Sequence, residues 1–402
     1  MQLFTSIEYL RIDIANHFGL DKEDWDPRIE WVHANDRQLE ALIEQAEEPA
    51  LYYAAVSAYR KAVQGLPIGH MISLDATSSG LQLLACLTGD RSSAELCNVV
   101  NIGHRADAYT KIYREMLDRL GEDAKISRSG TKDAIMTSLY GSTAMPKQVF
   151  GEGALLATFF EVMEEKAPAA WDLNQYMLDL WNPDALSHDW VMPDNFHVKV
   201  KVMDQVKEVV HFLNEPFDVF HKVNMPMETG RSLCANTTHS LDSMVVREVT
   251  RRCDYDVSVV NKLYDLLQDG VVGSTSAQTL TEDDKLVVTL WDHYKNTGYL
   301  SARIMGHLNA NNIGHVDPAI IWELLNSLPD KPFKVVSIHD CFRVHPNYGN
   351  DLRKQYNLQL SMIAKSDILS SLISQLLGKT VKIGKLDPDL WIDILETEYA
   401  LS

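Results

Sequence analysis

The sequence predicts an α+β protein that is mostly helical and has one small antiparallel sheet. Apolar residues recur at helical spacing from Asn35 to Gln64 and from Ala106 to Gly121. Strand patterns are short: "HMISLDA" ends its apolar run at Asp75, and "FKVVSIHDCFRVHP" places two apolar runs around His339 and Asp340, as in a hairpin. With 402 residues, 46% of them hydrophobic, the chain is long enough to bury a large core.

Composition narrows the class of protein. No apolar run is long enough to cross a membrane and the first residues do not resemble a secretion signal, so we expect a cytosolic protein without membrane contact. The net charge of −19 argues against a nucleic-acid partner, unless a cleft is locally basic. The cysteines lack metal-site spacing and are expected to be reduced thiols; they are Cys86, Cys97, Cys234, Cys253 and Cys341.

Two further patterns each allow two interpretations. Valine alternates with polar residues from His197, which favours a protruding hairpin over 197–212 or ordinary packing. Trp190 and Trp291 suit base stacking or, more often, a core.

Residues 273–284 form a Ser/Thr-rich loop, and with no repeat or linker in the sequence we expect one interwoven unit. Three histidines, His104, His188 and His197, lack metal-ligand spacing.

The stretch "SRSGTKDAIMTSLYGS" carries the first chemical signal. Steps of four residues rotate only about 40° around a helix, so Arg128, Lys132, Met136 and Tyr140 share one slowly drifting face. An exposed helix face with a tucked tyrosine is the simpler interpretation. The functional one requires an anion for the two cations and carboxylates nearby.

Asp75 and Asp340 supply such carboxylates at the ends of apolar strands. Either one alone is typical of a turn or a cap. If the two strands are neighbours, repulsion between the carboxylates raises one pKa unless a divalent cation intervenes, and hard oxygen ligands favour magnesium. Two Mg²⁺ ions about 3.5–4 Å apart would support in-line phosphoryl transfer.

The order of these segments resembles motifs A, B and C of the polymerase superfamily that includes family A DNA polymerases and single-subunit phage and mitochondrial RNA polymerases. "DATSSGLQ" is similar to the RNA polymerase pattern D-G-S-x-S-G-x-Q, "RSGTKDAIMTSLYGS" to R-x-x-x-K-x-x-x-M-x-x-x-Y-G-S, and "SIHDCF" to I-H-D-S-F. "EYLRIDIAN", "WVMPDNFHV", "ANTTHSLDS" and "DILETEYALS" extend the resemblance over nearly the whole chain.

This resemblance implies a right-hand polymerase with a palm and fingers. The palm with motif A would span 1–125, the fingers with motif B and a promoter-reading hairpin 126–235, and the palm with motif C 236–402. It further implies the site residues. Asp75, Asp340 and the Ala76 carbonyl would bind two Mg²⁺ ions; Arg11, Arg128 and Lys132 would contact the triphosphate; Tyr140, beside Gly141, would close on the nascent pair; His239 would lie near the minor groove; and His339 would line the motif C turn.

Two positions predict whether ribonucleotides or deoxyribonucleotides are preferred as substrates. Related DNA polymerases place a glutamate five residues after the motif A aspartate, where it blocks a ribose 2′-OH, whereas this chain has Gly80. Gly80 is alternatively a helix-packing glycine. The Tyr140 hydroxyl is a hydrogen-bonding group near the ribose, and losing such a bond costs about 1–3 kcal/mol. The sequence therefore favours ribonucleotides.

The sequence departs from the family pattern at three positions, and two other functions are compatible with it. Ala76 replaces the usual glycine, Asp133 stands where an arginine is common, and Cys341 replaces serine, which leaves the second-metal geometry and one phosphate contact open. The alternatives are a family A-like DNA polymerase and a non-catalytic polymerase-fold subunit that binds nucleic acid. Both motif aspartates and Lys132 argue against loss of catalysis.

Family members run to about twice this length and carry, ahead of motif A, an N-terminal lobe and a D/T-x-x-G-R motif that grips the hybrid. The similar "METGR", 227–231, comes after motif B. We therefore expect a second polypeptide to supply that lobe, which makes this chain the large catalytic subunit of a two-chain phage RNA polymerase in the cytoplasm of an infected bacterium. The expected partners are a DNA template, an RNA product, NTPs and, as a further candidate, a single-stranded-DNA-binding or activator protein.

Overall fold

A computed structural model describes residues 1–268 and 281–402, and helices dominate them. The α-helices are α1 Ser6–Ala15, α2 Trp25–Asn35, α3 Pro49–Val63, α4 Ser79–Thr88, α5 Arg91–Leu96, α6 Ala108–Leu120, α7 Arg128–Ser138, α8 Ala144–Phe150, α9 Ala154–Lys166, α10 Pro168–Asp179, α11 Ser232–Cys253, α12 Val257–Gln268, α13 Glu282–Thr297, α14 Pro318–Asn326, α15 Gly349–Lys365, α16 Ile368–Leu377 and α17 Leu390–Ile394. The strands are β1 Ile72–Asp75, β2 Ser187–Val191, β3 His197–Lys201, β4 Met203–Phe212, β5 Glu215–Asn224, β6 Val336–Ile338 and β7 Cys341–Val344. The predicted α+β class is confirmed.

Local sequence explains where several helices begin and end. Thr5 and Glu8 form a reciprocal capping box at the start of α1. The Ser127 side chain accepts the Gly130 amide at the start of α7. Helix α4 ends at Gly89, whose φ of 68° is the left-handed conformation that glycine adopts without strain.

Strands β1, β7 and β6 form a three-stranded antiparallel sheet in that order. Strand β1 pairs with β7 so that Asp75 lies opposite Cys341 and Ser73 opposite Arg343. Strands β6 and β7 form the predicted hairpin, with His339 and Asp340 as its two-residue turn. His339 has a φ of 55°, a left-handed conformation that is uncommon outside glycine.

The other edge of β1 is covered by distant parts of the chain. The Ser73 amide donates to the Asp13 carboxylate (2.9 Å), the Asp75 amide to the Ser402 backbone oxygen (3.1 Å) and the Thr77 amide to the Ala400 carbonyl (3.3 Å). These bonds give the backbone amides along this edge of β1 their hydrogen-bond partners. Together with the pairing to β7, they fix the position of Asp75 from both sides.

The hydrophobic core joins both ends of the chain. One cluster runs from Phe4 to Leu401 and surrounds α4, which is buried along its whole length. A smaller second cluster is formed by buried residues of α12, α13 and α14 and of the segment 300–316 between α13 and α14. The predicted interwoven unit therefore holds for the larger cluster, while the second segment packs largely on itself.

The predicted helix from Asn35 to Gln64 is wrong, whereas that from Ala106 to Gly121 is confirmed as α6. The first stretch divides into the end of α2, a 3₁₀ segment over Asp36–Gln45, and α3. Ala46 is extended, and Pro49 stands at the beginning of α3, where its missing amide hydrogen costs no hydrogen bond. Periodicity alone does not show such a break.

The predicted hairpin over 197–212 is also wrong in its boundaries. Strand β3 pairs with β2, and β4 pairs with β5 to form a separate hairpin from Met203 to Asn224. Nearly all of its side chains are exposed. Promoter contact by residues 197–212 stays a prediction. Of the Ser/Thr-rich loop, residues 273–280 lie outside the described residues, and 282–284 begin α13.

Three smaller predictions are settled by the packing. Trp190 is buried and donates to the Ser240 hydroxyl (3.2 Å), so it is a core residue, and Trp291 packs beside Tyr294 in the second cluster. All five cysteines are free. Among the described residues, no helix combines the length and the apolarity needed to cross a bilayer.

Candidate active site

A cleft of about 610 Å³ opens over the end of the three-stranded sheet. One wall is β1, β7 and the start of α4, and the other is the face of α7 with the loop before α6. The predicted site residues that line it are Asp75, Ala76, Gly80, Arg128, Lys132, Tyr140 and Asp340. Residues far apart in sequence thus meet in one place.

The two predicted carboxylates lie at the same end of the sheet, Asp75 at the end of β1 and Asp340 in the turn directly before β7. Asp75 ends β1 opposite Cys341, and the Ala76 amide donates to the backbone oxygen of Asp340 at 3.2 Å. Partial loss of water around Asp75, together with the negative charge of Asp340, raises the pKa of Asp75 to about 6. The expected repulsion between the pair is therefore present.

A third carboxylate, Asp242 on α11, was not predicted. Burial and the charge of Asp340 raise the pKa of Asp242 to about 6, although a hydrogen bond with Ser79 works in the opposite direction. The signal was present in "THSLD", since Asp242 follows His239 by three residues and shares its helix face.

The oxygen donors fit a divalent cation. Asp75 and Asp340 bring two carboxylates together beside the Ala76 backbone, and their mutual repulsion is the energetic reason to bind a cation. Within the described ranges, however, no group of three or more acidic, histidine or cysteine side chains has the spacing of a metal cluster. The predicted magnesium therefore fits two side chains and backbone oxygen rather than a closed protein cage.

The cations on α7 differ in their surroundings. Arg128 donates to Asp107 (2.5 Å) and to the Thr110 hydroxyl (2.6 Å), so its guanidinium already joins α7 to the start of α6. Lys132 is exposed in the cleft, with its ammonium 5.5 Å from the centre of the Tyr109 ring. Lys132 is therefore the more available of the two for an anion.

Tyr140 and Gly80 fit against each other. Tyr140 lies in the turn after α7, which ends at Ser138, and its ring contacts His239 with the centroids 4.9 Å apart. A Cβ atom at Gly80 would lie 2.7 Å from the Tyr140 hydroxyl. Burial, followed by the charges of Asp242 and Asp340, raises the pKa of Tyr140 to about 12, so the hydroxyl keeps its proton.

The other predicted residues lie outside the lining of this cleft. The Arg11 guanidinium contacts the Tyr59 hydroxyl (3.4 Å) and ring, and its contact with a triphosphate stays a prediction. His339 is exposed in its turn, and His239 lies behind Tyr140. Gly141 has a φ of 83° and ends the motif B turn, so its role is conformational.

Two polar residues in or near the cleft, Arg105 and Asp13, have no signal in the local sequence. Arg105 lines it near Asp75, and its side chain donates to the Ser402 hydroxyl (3.3 Å). Asp13 is fully buried and binds His70 (2.8 Å) as well as the Ser73 amide. Neither pattern is visible without knowing which segments meet.

Comparison with known proteins shows similarity to RNA polymerases. Residues 4–179 match the family described as DNA-dependent RNA polymerase. The DNA-directed RNA polymerase of Pseudomonas phage phiKMV is 26% identical over 304 residues, 58% of this chain and 36% of the relative. The chain is similar in sequence to these polymerases. A probable DNA-directed RNA polymerase from Gelasinospora is 23% identical over 397 residues, 90% of this chain and 43% of the relative. The mitochondrial enzyme of Schizosaccharomyces pombe is 29% identical over 164 residues, 34% of the chain and 14% of the relative. The chain thus spans less than half the length of these RNA polymerases.

Proposed function

We propose that this chain is the catalytic part of a DNA-directed RNA polymerase, which adds NTPs to an RNA 3′-OH on a DNA template. The observation that carries the proposal is that Asp75, at the end of β1, and Asp340, in the turn before β7, line one cleft together with Lys132 and Tyr140. Homology to RNA polymerases supports the same reaction. In this assignment the sheet belongs to the palm and α7 to the fingers.

Each residue has a physical role in nucleotide addition. Asp75, Asp340 and the Ala76 carbonyl would hold two Mg²⁺ ions, which when bound stabilise the attacking and leaving oxygens. Lys132 places its positive charge where a triphosphate would lie. Tyr140 offers its hydroxyl to the ribose, and Gly80 leaves the space that this hydroxyl occupies.

The alternatives are less well supported. A DNA polymerase of the related family would need a glutamate at position 80, but the Tyr140 hydroxyl already lies where even a Cβ would stand. A non-catalytic subunit would have no need for two repelling carboxylates at the bottom of a cleft, since such a pair costs stability without a cation.

The test is RNA synthesis on a primed single-stranded DNA template. Purified chain, alone and with a candidate partner, is supplied with Mg²⁺ and NTPs, and product length is read on a gel. The matched control is Asp118→Ala, which removes an exposed carboxylate outside the cleft. Incorporation that persists unchanged in Asp75→Ala, with an unchanged melting temperature, would contradict the proposed site.

We further propose that a second polypeptide completes the enzyme as the N-terminal lobe. The relatives have more than half of their length outside the aligned part. Strand β6 is at the edge of its sheet, and Val336 and Ile338 are 48% and 57% exposed, as a docking strand would require. Completing a fold in this way would bury on the order of 2,000 Å² or more.

The partner proposal has its own test. The chain is expressed alone and together with the candidate, and the complex is sought by size-exclusion chromatography. Val336→Asp is expected to weaken association at least tenfold, while Val257→Asp, an exposed valine on α12, serves as the control. Full RNA synthesis by the isolated chain would refute the need for a partner.

A further inference from the structure

Ser73 and Arg343 form a polar pair on the cleft face of the sheet. They are cross-strand partners on β1 and β7, and both line the cleft. Because side chains alternate along a strand, they share their face with Asp75 and Cys341, two residues further along. The pair therefore lies about 7 Å from the proposed metal ligands.

Both residues have a buried polar atom without a hydrogen-bond partner. These atoms are the Ser73 Oγ and the Arg343 Nε. Across the described part of the chain, they are the two such atoms whose residues line the cleft. Leaving a buried donor unpaired costs roughly 1–3 kcal/mol, and here two such donors belong to neighbouring residues of the cleft lining.

The neighbouring carboxylates are already engaged. Asp13 accepts hydrogen bonds from the Ser73 amide (2.9 Å) and from His70 (2.8 Å). Glu48, at the same end of the cleft, binds the His17 ring at 2.7 Å. Neither of these acids forms an ion pair with Arg343.

The other charged groups of the lining include both signs, and Asp75 and Asp340 are two further carboxylates of the same cleft. Lys22 and Asp21 pair at 3.6 Å, and Glu47 is the further acid of the lining. Val336, on the other side of Arg343, is exposed and apolar. An anion that reaches Arg343 would thus meet one free guanidinium beside a hydroxyl.

We propose that Ser73 and Arg343 bind a phosphate group in the cleft, in addition to Lys132. A guanidinium presents parallel N–H donors that match phosphate oxygens, and the hydroxyl adds a third donor. The inference rests on the proposed polymerase function, which supplies two sources of that group: the triphosphate of a nucleotide and the backbone of a nucleic-acid strand. "SIHDCF" ends just before Arg343, so no matched motif covers this position.

The experiment measures binding without catalysis. Isothermal titration of the whole chain uses tripolyphosphate as one probe and a short RNA–DNA hybrid as the other. Arg343→Gln is expected to weaken one of them about tenfold and, for the hybrid, to reduce the salt dependence of log K by about 0.7–0.9. Weaker tripolyphosphate binding assigns the site to the nucleotide, and weaker hybrid binding assigns it to the strand.

Controls separate this site from general charge effects. Arg114→Gln removes an exposed arginine on α6, outside the cleft, and should leave both affinities unchanged. Ser73→Ala should weaken binding of the same probe about threefold. If Arg343→Gln lowers the melting temperature, the Ser73→Ala result is the one that tests the site. The proposal is overturned if neither probe binds the unaltered chain, if both variants bind as it does, or if Arg114→Gln has an equal effect. If the chain binds phosphate here but makes no RNA even together with its candidate partner, the proposed function is refuted and this site still stands.

Discussion

Replacing Gly80 with alanine tests the fit between Gly80 and Tyr140. In a helix, alanine is favoured over glycine by about 0.5–1 kcal/mol. The new Cβ would lie 2.7 Å from the Tyr140 hydroxyl, closer than the roughly 3.4 Å of an ordinary contact, and overpacking of this kind costs about 1–3 kcal/mol. The net effect of Gly80→Ala is therefore a loss of about 1 kcal/mol or displacement of the tyrosine.

Tyr140→Phe should reverse the sign of that change. Without the hydroxyl, the nearest ring atom is 3.3 Å from the new Cβ, so alanine should become neutral or stabilising. We expect a coupling of about 1–2 kcal/mol between the two substitutions. Thermal unfolding of the four proteins measures it, and equal effects of Gly80→Ala in both backgrounds would refute the close contact.

The same four proteins test sugar selection. Tyr140→Phe deletes one hydrogen-bonding group and little volume, so RNA synthesis should continue while dATP use rises relative to ATP, by roughly one or two decades. Gly80→Ala should shift the ratio in the same direction because it moves the hydroxyl. The ratio of kcat/KM for ATP and dATP is the measurement, and an unchanged ratio would remove Tyr140 from this role.

Three further predictions concern the carboxylates and the cations. Asp75→Ala or Asp340→Ala should abolish Mg²⁺-dependent nucleotide addition without lowering the melting temperature; substantial activity in either variant would contradict the assignment. The pKa of Asp242 is raised to about 6 from 3.8, so its ionisation costs stability that is absent below about pH 4, grows as the pH rises to 6 and persists above it. Asp242→Asn should therefore stabilise the protein at pH 7.5, by at most about 3 kcal/mol, and not at pH 4; equal melting shifts at both pH values would refute this. Lys132→Ala should raise the KM for NTPs at least tenfold, whereas Arg128→Ala, which loses an ion pair between helices, should chiefly lower the melting temperature; steady-state kinetics and calorimetry would show the reverse if Arg128 is the main phosphate contact.

The sequence by itself determined the fold class and the strand that ends at Asp75. It also determined the hairpin around His339 and Asp340. These predictions depend on neighbouring residues, whose alternation and turn chemistry are local properties. The ordered motifs also predicted a resemblance to the polymerase family, and the comparisons found similarity to RNA polymerases. Helix breaks without a strong local signal, as between Asn35 and Pro49, were missed.

Only the tertiary structure decided which groups are available for chemistry. Whether Arg128 faces an acid, whether Arg11 reaches the cleft and whether Gly80 has room for a side chain all depend on segments distant in sequence. The same is true of Asp242 and Arg343, since burial and unpaired donors arise when helices and strands pack together. A residue's type is written in the sequence, but its electrostatic environment is produced by folding.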